Sequence, residues 1–189
     1  MRNQSIRKGS MEYVIRKAVL VDRPAIEKLI AISARELSST DYTPEQIEGA
    51  LQGAFGIDTQ LIKDETYFAA ETNGVIVGCG GWSKRKTLFG GDNRETRDPA
   101  ELNPETDPAK IRAFFAHPDW ARRGIGKSIL ARCEAEAKSF GFRSLELMAT
   151  LPGVRLYSSC GFAATDRIQY LLPSGIAIDF VPMKKMLIM

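Results

Sequence analysis

Apolar and polar residues alternate from Tyr13 to Ala18 and then give way to helical spacing, with Ile26, Leu29, Ile30 and Leu37 recurring through RPAIEKLIAISAREL. The pattern predicts a strand and then a helix, with Asp22 as the N-cap. At Thr43 a second helix start appears, with Pro44 at the first helical position and Gln46 completing a capping box, and a helix to about Ala54 is expected. TYFAAET (66–72) and VIVGCGGW (75–82) are β-prone runs joined by Asn73-Gly74, the signature of a tight hairpin. From Ser83 to Pro108 the chain turns polar and rich in Gly, Pro, Asp and Glu, which predicts a long surface excursion.

Periodic structure resumes with KIRAFFAH (110–117) as a strand. Ile129, Leu130, Cys133 and Ala137 then describe an amphipathic helix from Ile125, closed by Gly141. SLELMAT (144–150) reads as a strand and VRLYSSC (154–160) as a short helix. IQYLL and IAIDFVPMKKML form a last pair of strands around Pro173-Ser174-Gly175. The order β-α-α-β-β-β-α-β-α-β-β is that of a mixed α/β chain of α+β type, with no internal repeat.

Composition narrows the class. With 44% hydrophobic and 26% charged residues, 189 in all, the chain is ordinary globular material and long enough for one well-filled core. One domain is expected over residues 11–189. MRNQSIRKGS (1–10) is set apart as a leader or an expression remnant, with Met11 as the natural start. The formal charge is only +3, and no basic face carries interleaved aromatics, so no nucleic-acid partner is expected. No run approaches bilayer length, so no membrane partner is expected either. Cys79, Cys133 and Cys160 lack CxxC spacing and are odd in number, which argues for a reducing, cytoplasmic location. A lone His117 without paired Cys or His ligands gives no reason to expect a metal.

The chemistry concentrates in DWARRGIGKSIL (119–130). A strand that ends in a glycine turn and feeds a helix gathers free backbone N–H groups and the positive end of the helix dipole at one point, and that point binds phosphate. Gly124 and Gly126 let the backbone approach oxygen atoms, while Arg122, Arg123 and Lys127 add positive charge. The Walker pattern G-x-x-x-x-G-K-S/T fits residues 121–128 except at Ala121, but no later strand ends in the Asp that would hold magnesium. The dinucleotide fingerprint fails where its third glycine would be, at Ile129.

FFAHPDWARRGIGKSIL, LYSSCGF and the element order together resemble the GNAT superfamily of acyl-CoA-dependent N-acetyltransferases, from Tyr13 to Leu187. The resemblance implies a central mixed, mostly antiparallel sheet of about seven strands flanked by about four helices. It implies that the strand at Arg112 to Ala116 splays from the strand at Ser144 to Ala149. Acetyl-CoA, the co-substrate, would then pair its pantetheine amides with the backbone of Phe114, Phe115 and Ala116. Its pyrophosphate would sit on Arg122, Arg123, Gly124, Ile125, Gly126 and Lys127. Ala121 is a departure from the family loop, which has Arg or Gln there, and costs one side-chain contact.

Tyr157 matches the family position whose hydroxyl serves as general acid to the CoA thiolate during direct attack by a neutral amine. The family's strand Glu has no counterpart, because its nearest position is Arg112; Glu146, His117 and water remain as bases, His-Pro-Asp also reading as a turn that seats the loop. Asp41, Tyr42, Trp82 and the 83–108 excursion are candidates for an acceptor pocket with aromatic and acidic groups, although ordinary surface loop explains them as well. The acceptor expected is a small-molecule amine. The alternatives are a protein or peptide amine and a non-catalytic acyl-CoA sensor, and a homodimer through the last strand is compatible with the family.

Overall fold

The computed structural model describes residues 12–187, so the reading of residues 1–10 and of Met11 lies outside the described residues. The alternation near the start forms β1 (Val14–Lys17), and the apolar spacing after it forms α1 (Arg23–Leu37), which buries Ile26, Leu29, Ile30 and Ala34. Asp22 stands at the N-cap of α1 as the sequence predicts, but its side chain makes no capping hydrogen bond. The helix is entered through a 3-10 turn over Leu20–Asp22, and the Asp22 carboxylate instead accepts from the Val19 N–H at 2.8 Å and pairs with Arg16 at 2.7 Å. Arg16 holds that carboxyl below its ordinary range.

The capping box at Thr43 is present. Thr43 Oγ1 accepts from the Gln46 N–H at 3.3 Å, and Gln46 Oε1 accepts from the Thr43 N–H at 2.9 Å. The helix it opens, α2 (Pro44–Ala50), stops one turn short of the expected end, because the Ala50 carbonyl accepts from Gly53 and Phe55 N–H groups in a turn that directs the chain toward the sheet. An unanticipated short helix follows, α3 (Thr59–Lys63), capped by Asp58 Oδ1 on the Gln60 N–H at 3.0 Å.

β2 (Tyr67–Thr72) and β3 (Val75–Ser83) make the predicted hairpin, with Asn73 and Gly74 both at positive φ, as its tight turn requires. β4 (Ala109–Ala116), α4 (Ile125–Ser139), β5 (Ser144–Thr150) and α5 (Val154–Ser159) follow in the predicted order. The last strands are β7 (Ile168–Leu171) and β8 (Ala177–Met186), with a two-residue β6 (Ala163–Ala164) that the sequence reading lacks. The sheet runs β1-β2-β3-β4-β5-β8-β6, with β7 also on β8, and has eight strands among the described residues. Every pairing is antiparallel except β4 with β5.

Side chains alternate across the sheet and split the core in two. Tyr67 and Phe180 face α1, α2 and α3, whereas Phe68 and Met183 face α4 and α5. The 84–108 segment is no loose surface loop. Lys86 and Thr87 N–H groups donate to Ala100 and Asp98 carbonyls, Arg85 clamps Asp64, and the Gly91 and Asp92 N–H groups donate to Gly53 and Ile57. These bonds press its tip, Leu88 to Gly90, over the middle of the sheet.

Candidate functional site

β4 and β5 begin as hydrogen-bonded neighbours and then part. Their parallel register holds only at Ala109↔Leu145 and Lys110↔Glu146. Just beyond, Ala113 adopts φ +54 and the pairing with β3 slips between Gly81↔Arg112 and Cys79↔Phe115, which is a β-bulge. The Tyr67 hydroxyl donates to the bulged Ala113 carbonyl at 3.0 Å and fixes the bend. The gap opens into a cavity of about 790 Å³, lined by both strands, the 120–127 loop, α1, α5 and the tip of the 84–108 segment.

One end of the cavity is formed by the loop that leads into α4. Arg122 at φ +65 and Gly124 at φ +87 turn the chain into α4, and Gly124 caps that helix without any side-chain bond. The N–H groups of the first helical turn have no intrahelical acceptor and lie at the positive end of the dipole. Arg122, Gly124, Ile125, Gly126 and Lys127 all line the cavity; Arg123 does not, because its guanidinium lies 4.9 Å over the Trp120 ring. Arg155, from α5, also lines the cavity and carried no signal in the sequence beyond its place two residues before Tyr157. The two loop glycines have different reasons. A Cβ on Gly124 would meet only Tyr13 Oη at 3.9 Å, so its left-handed backbone is what demands glycine; one on Gly126 would reach Leu156 Cδ2 at 2.9 Å, so that position serves the close approach of α4 to α5. Ala121 has extended φ and ψ of −61 and 150, and its short side chain leaves the turn unchanged.

The middle of the cavity holds Phe114, Phe115, Ala116 and Tyr157. A Cβ on Gly80 would lie 2.7 Å from the Phe114 ring, so the glycines of β3 let that ring lie flat on the strand. Phe114 in turn meets Tyr157 edge-on at 6.0 Å, and Phe162 meets it from behind at 5.8 Å. The Ala116 N–H reaches Ser33 Oγ at 3.3 Å, a long bond from α1 that the sequence reading did not foresee. Burial raises the Tyr157 phenol well above its ordinary range and keeps it protonated.

The base candidates lie elsewhere. Glu146 is paired with Lys110 and, at 3.5 Å, with Lys184, and is not among the cavity-lining residues. His117 Nδ1 accepts from the Asp119 N–H at 3.3 Å and caps the 3-10 turn Pro118–Trp120, the turn-seating role. Arg112, at the family's glutamate position, is buried with its fork on Asp58 at 2.8 Å and on the Thr87 and Gly90 carbonyls.

Three of the acceptor candidates are also displaced. Trp82 is fully buried on the α4 side, its Nε1 donating to Glu136 at 3.0 Å, because β3 alternates faces. Tyr42 is a strut whose hydroxyl donates to the Asp179 carbonyl at 2.7 Å and accepts from the Leu151 N–H at 2.8 Å. Asp41 is exposed and outside the lining. Only the excursion contributes, through Leu88, Phe89 and Gly90, and the remaining wall of Phe55 and Phe180 was not foreseen. Those phenylalanines meet only through long-range packing, so no local spacing marks them.

Comparison with known proteins agrees with the fold. A family model described as the acetyltransferase (GNAT) family matches residues 27–162. Among solved structures, a GCN5-related N-acetyltransferase from Rhodopseudomonas palustris is 19% identical, covering 96% of this chain and 100% of that one, with a TM-score of 0.69. PaiA N-acetyltransferase from Thermoplasma acidophilum, solved with coenzyme A, is 16% identical over 94% of this chain and 100% of its own, at 0.63. YncA from Salmonella typhimurium, solved with acetyl-CoA, is 17% identical over 94% and 95%, at 0.62. No curated protein matches the chain. Among the described residues, no helix is long and apolar enough to cross a membrane.

Proposed function

Because the chain belongs to the GNAT acetyltransferase family, we propose that it moves an acetyl group from acetyl-CoA to the amine of a small molecule, with Tyr157 as general acid. Acetyl-CoA is read here as co-substrate and supplies the thioester carbonyl that the amine attacks. The observation that carries the reading is one continuous cavity with an anion-binding helix start at one end and a buried phenol on its wall.

Each part answers a demand of the reaction. The first-turn amides of α4, with Arg122, Lys127 and Arg155 beside them, hold the phosphates of the donor and leave its long arm to run along the β4 edge. That edge lies open because the bulge at Ala113 has separated it from β5. The amine attacks as a neutral nucleophile, the C–N bond forms, the C–S bond breaks, and the sulfur leaves as thiolate. Tyr157 gives that thiolate its proton, and the proton shed by the new ammonium returns through water to the tyrosinate, since Glu146 and His117 are both engaged outside the cavity.

The test is Tyr157→Phe, with acetyl-CoA binding and thiol release measured separately. Binding should persist, while kcat falls by about 100-fold or more, the usual scale of a lost general acid. Unchanged kcat in a variant that still binds would overturn the role of Tyr157.

A further inference from the structure

The end of the cavity away from the α4 start is walled by apolar side chains. Phe55, Phe89 and Phe180 wall it, with Leu37 and Leu88 beside them. The rings are mutually packed, Phe55 on Phe180 at 6.2 Å and Phe89 on Phe180 at 5.5 Å, and Phe55 also meets Phe115 at 6.1 Å. Among the described residues that line the whole cavity, none is Asp, Glu or His.

The titratable and charged groups that do face it are Cys79 from β3, Arg112 from β4, Arg122 and Lys127 from the loop and α4, and Arg155 and Tyr157 from α5. The lining residues from α1, the 54–56 turn, the 84–108 segment, β5 and β8 bring none. The Cys79 thiol is pushed up to about 12 by burial, so it stays neutral and offers no thiolate base. Arg112 spends its charge on Asp58. The remaining charge on the lining is positive, on Arg122, Lys127 and Arg155, and behind the wall the Arg94 guanidinium stacks over the Phe89 ring at 4.1 Å.

Two consequences follow for the acceptor. A polyamine entering this end would lose hydration for its distal ammonium groups and find no carboxylate to pair with them, which is costly. An amine arriving as ammonium would also find no side chain able to take its proton near neutral pH. At pH 7 an alkylamine of lysine-like pKa, about 10.4, is neutral to only roughly 0.04%, whereas an α-amine at about 7.7–8.0 is neutral to roughly 10–17%.

We propose that the acceptor is a weakly basic amine carried on an apolar or aromatic body, either an aryl amine or the α-amine of an apolar amino-acid derivative, and that Phe55, Phe89 and Phe180 recognise the body. The proposal rests on the acetyltransferase reading above and assigns its substrate class. Ring faces and edges at these separations accept a further ring edge-on, as aromatic clusters do.

The experiment compares initial rates of thiol release from acetyl-CoA with p-toluidine, phenylalanine amide, phenethylamine and spermidine. Phenylalanine amide and phenethylamine share a body and differ in basicity. At pH 7 the amide should exceed phenethylamine by roughly 200- to 400-fold in kcat/KM, the ratio of their neutral fractions. Spermidine should be the poorest acceptor, and p-toluidine against the amide tells the two amine sources apart. The kcat/KM for phenethylamine should climb about tenfold per pH unit toward its own pKa. Phe89→Ala should raise KM for the aromatic acceptors several-fold while acetyl-CoA binding persists, and Leu37→Glu should move the preference toward spermidine.

A best rate with spermidine, or a phenethylamine profile that levels off near neutrality, would overturn the acceptor class and leave the transferase reading standing. Acetyl-CoA binding without thiol release for any of these amines would overturn the transferase reading itself. Thermal shift with CoA bound then decides the acceptor class independently: further stabilisation by phenylalanine amide and none by spermidine supports it, and the reverse overturns it.

Discussion

Ala113 and Gly124 both hold left-handed backbone, at φ +54 and +87, and only one of them is glycine. That conformation costs an L-residue about 1–2 kcal/mol. At Ala113 the cost is tolerated because the Tyr67 hydroxyl grips the carbonyl of the bulge. Gly124→Ala should therefore lower stability by about 1–2 kcal/mol, read from the thermal midpoint. Ala113→Gly relieves strain but adds glycine's backbone entropy of about 0.5–1 kcal/mol, so its midpoint should stay close to that of the native chain. At Tyr157 the sign runs through burial. Desolvation disfavours the phenolate and raises the pKa, so the phenol keeps its proton through and beyond the neutral range. The pH profile of kcat should show no falling limb from this group below about pH 10, near the ordinary tyrosine value. A limb below that pH that disappears in Tyr157→Phe would contradict the assignment.

At the scale of elements, the 84–108 segment depends on a buried charge cluster. Asp58 caps α3 and pairs with both Arg112 and Arg97, and the Arg112 fork also takes carbonyls from Thr87 and Gly90. Burial pulls the Arg112 guanidinium down to about 10 against the opposing charge of Asp58. Removing one member strands the other, which for buried pairs costs about 3–5 kcal/mol. Asp58→Asn and Arg112→Met should show losses of that size in urea midpoints. Arg97→Leu should lose less, because the Arg97 side chain is 24% exposed against 1% for Arg112. None of this was legible in the sequence. Arg112 appeared as a missing glutamate, and the polarity of residues 83–108 pointed to solvent, when its arginines and aspartates are the bonds that hold the segment down. Strands and long helices were legible because burial imposes period on them. Short α3 and two-residue β6 are fixed by partners distant in sequence.

At the scale of the molecule, the anion end of the site was readable because a strand, two glycines, basic residues and a helix start are contiguous from Phe115 to Ser128. The acceptor end was not, because Phe55, Phe89 and Phe180 are far apart along the chain and come together only when the sheet forms. The same sheet is nearly two. Through strand pairing, β1 to β4 meet β5 to β8 only by Ala109 and Lys110 on Leu145 and Glu146. A donor laid in the gap would act as a removable strut between two halves. At 100 times its Kd it adds about 2.7 kcal/mol to the folded state. Without it, the segments lining the gap should open locally before the chain unfolds as a whole, and added protease should cut there first. Limited proteolysis with and without acetyl-CoA reads this directly, and equal cleavage patterns would contradict it. On the proposed reading, the separation of β4 from β5 would then tie the lifetime of this protein in a cell to how much acetyl-CoA is there to fill the gap.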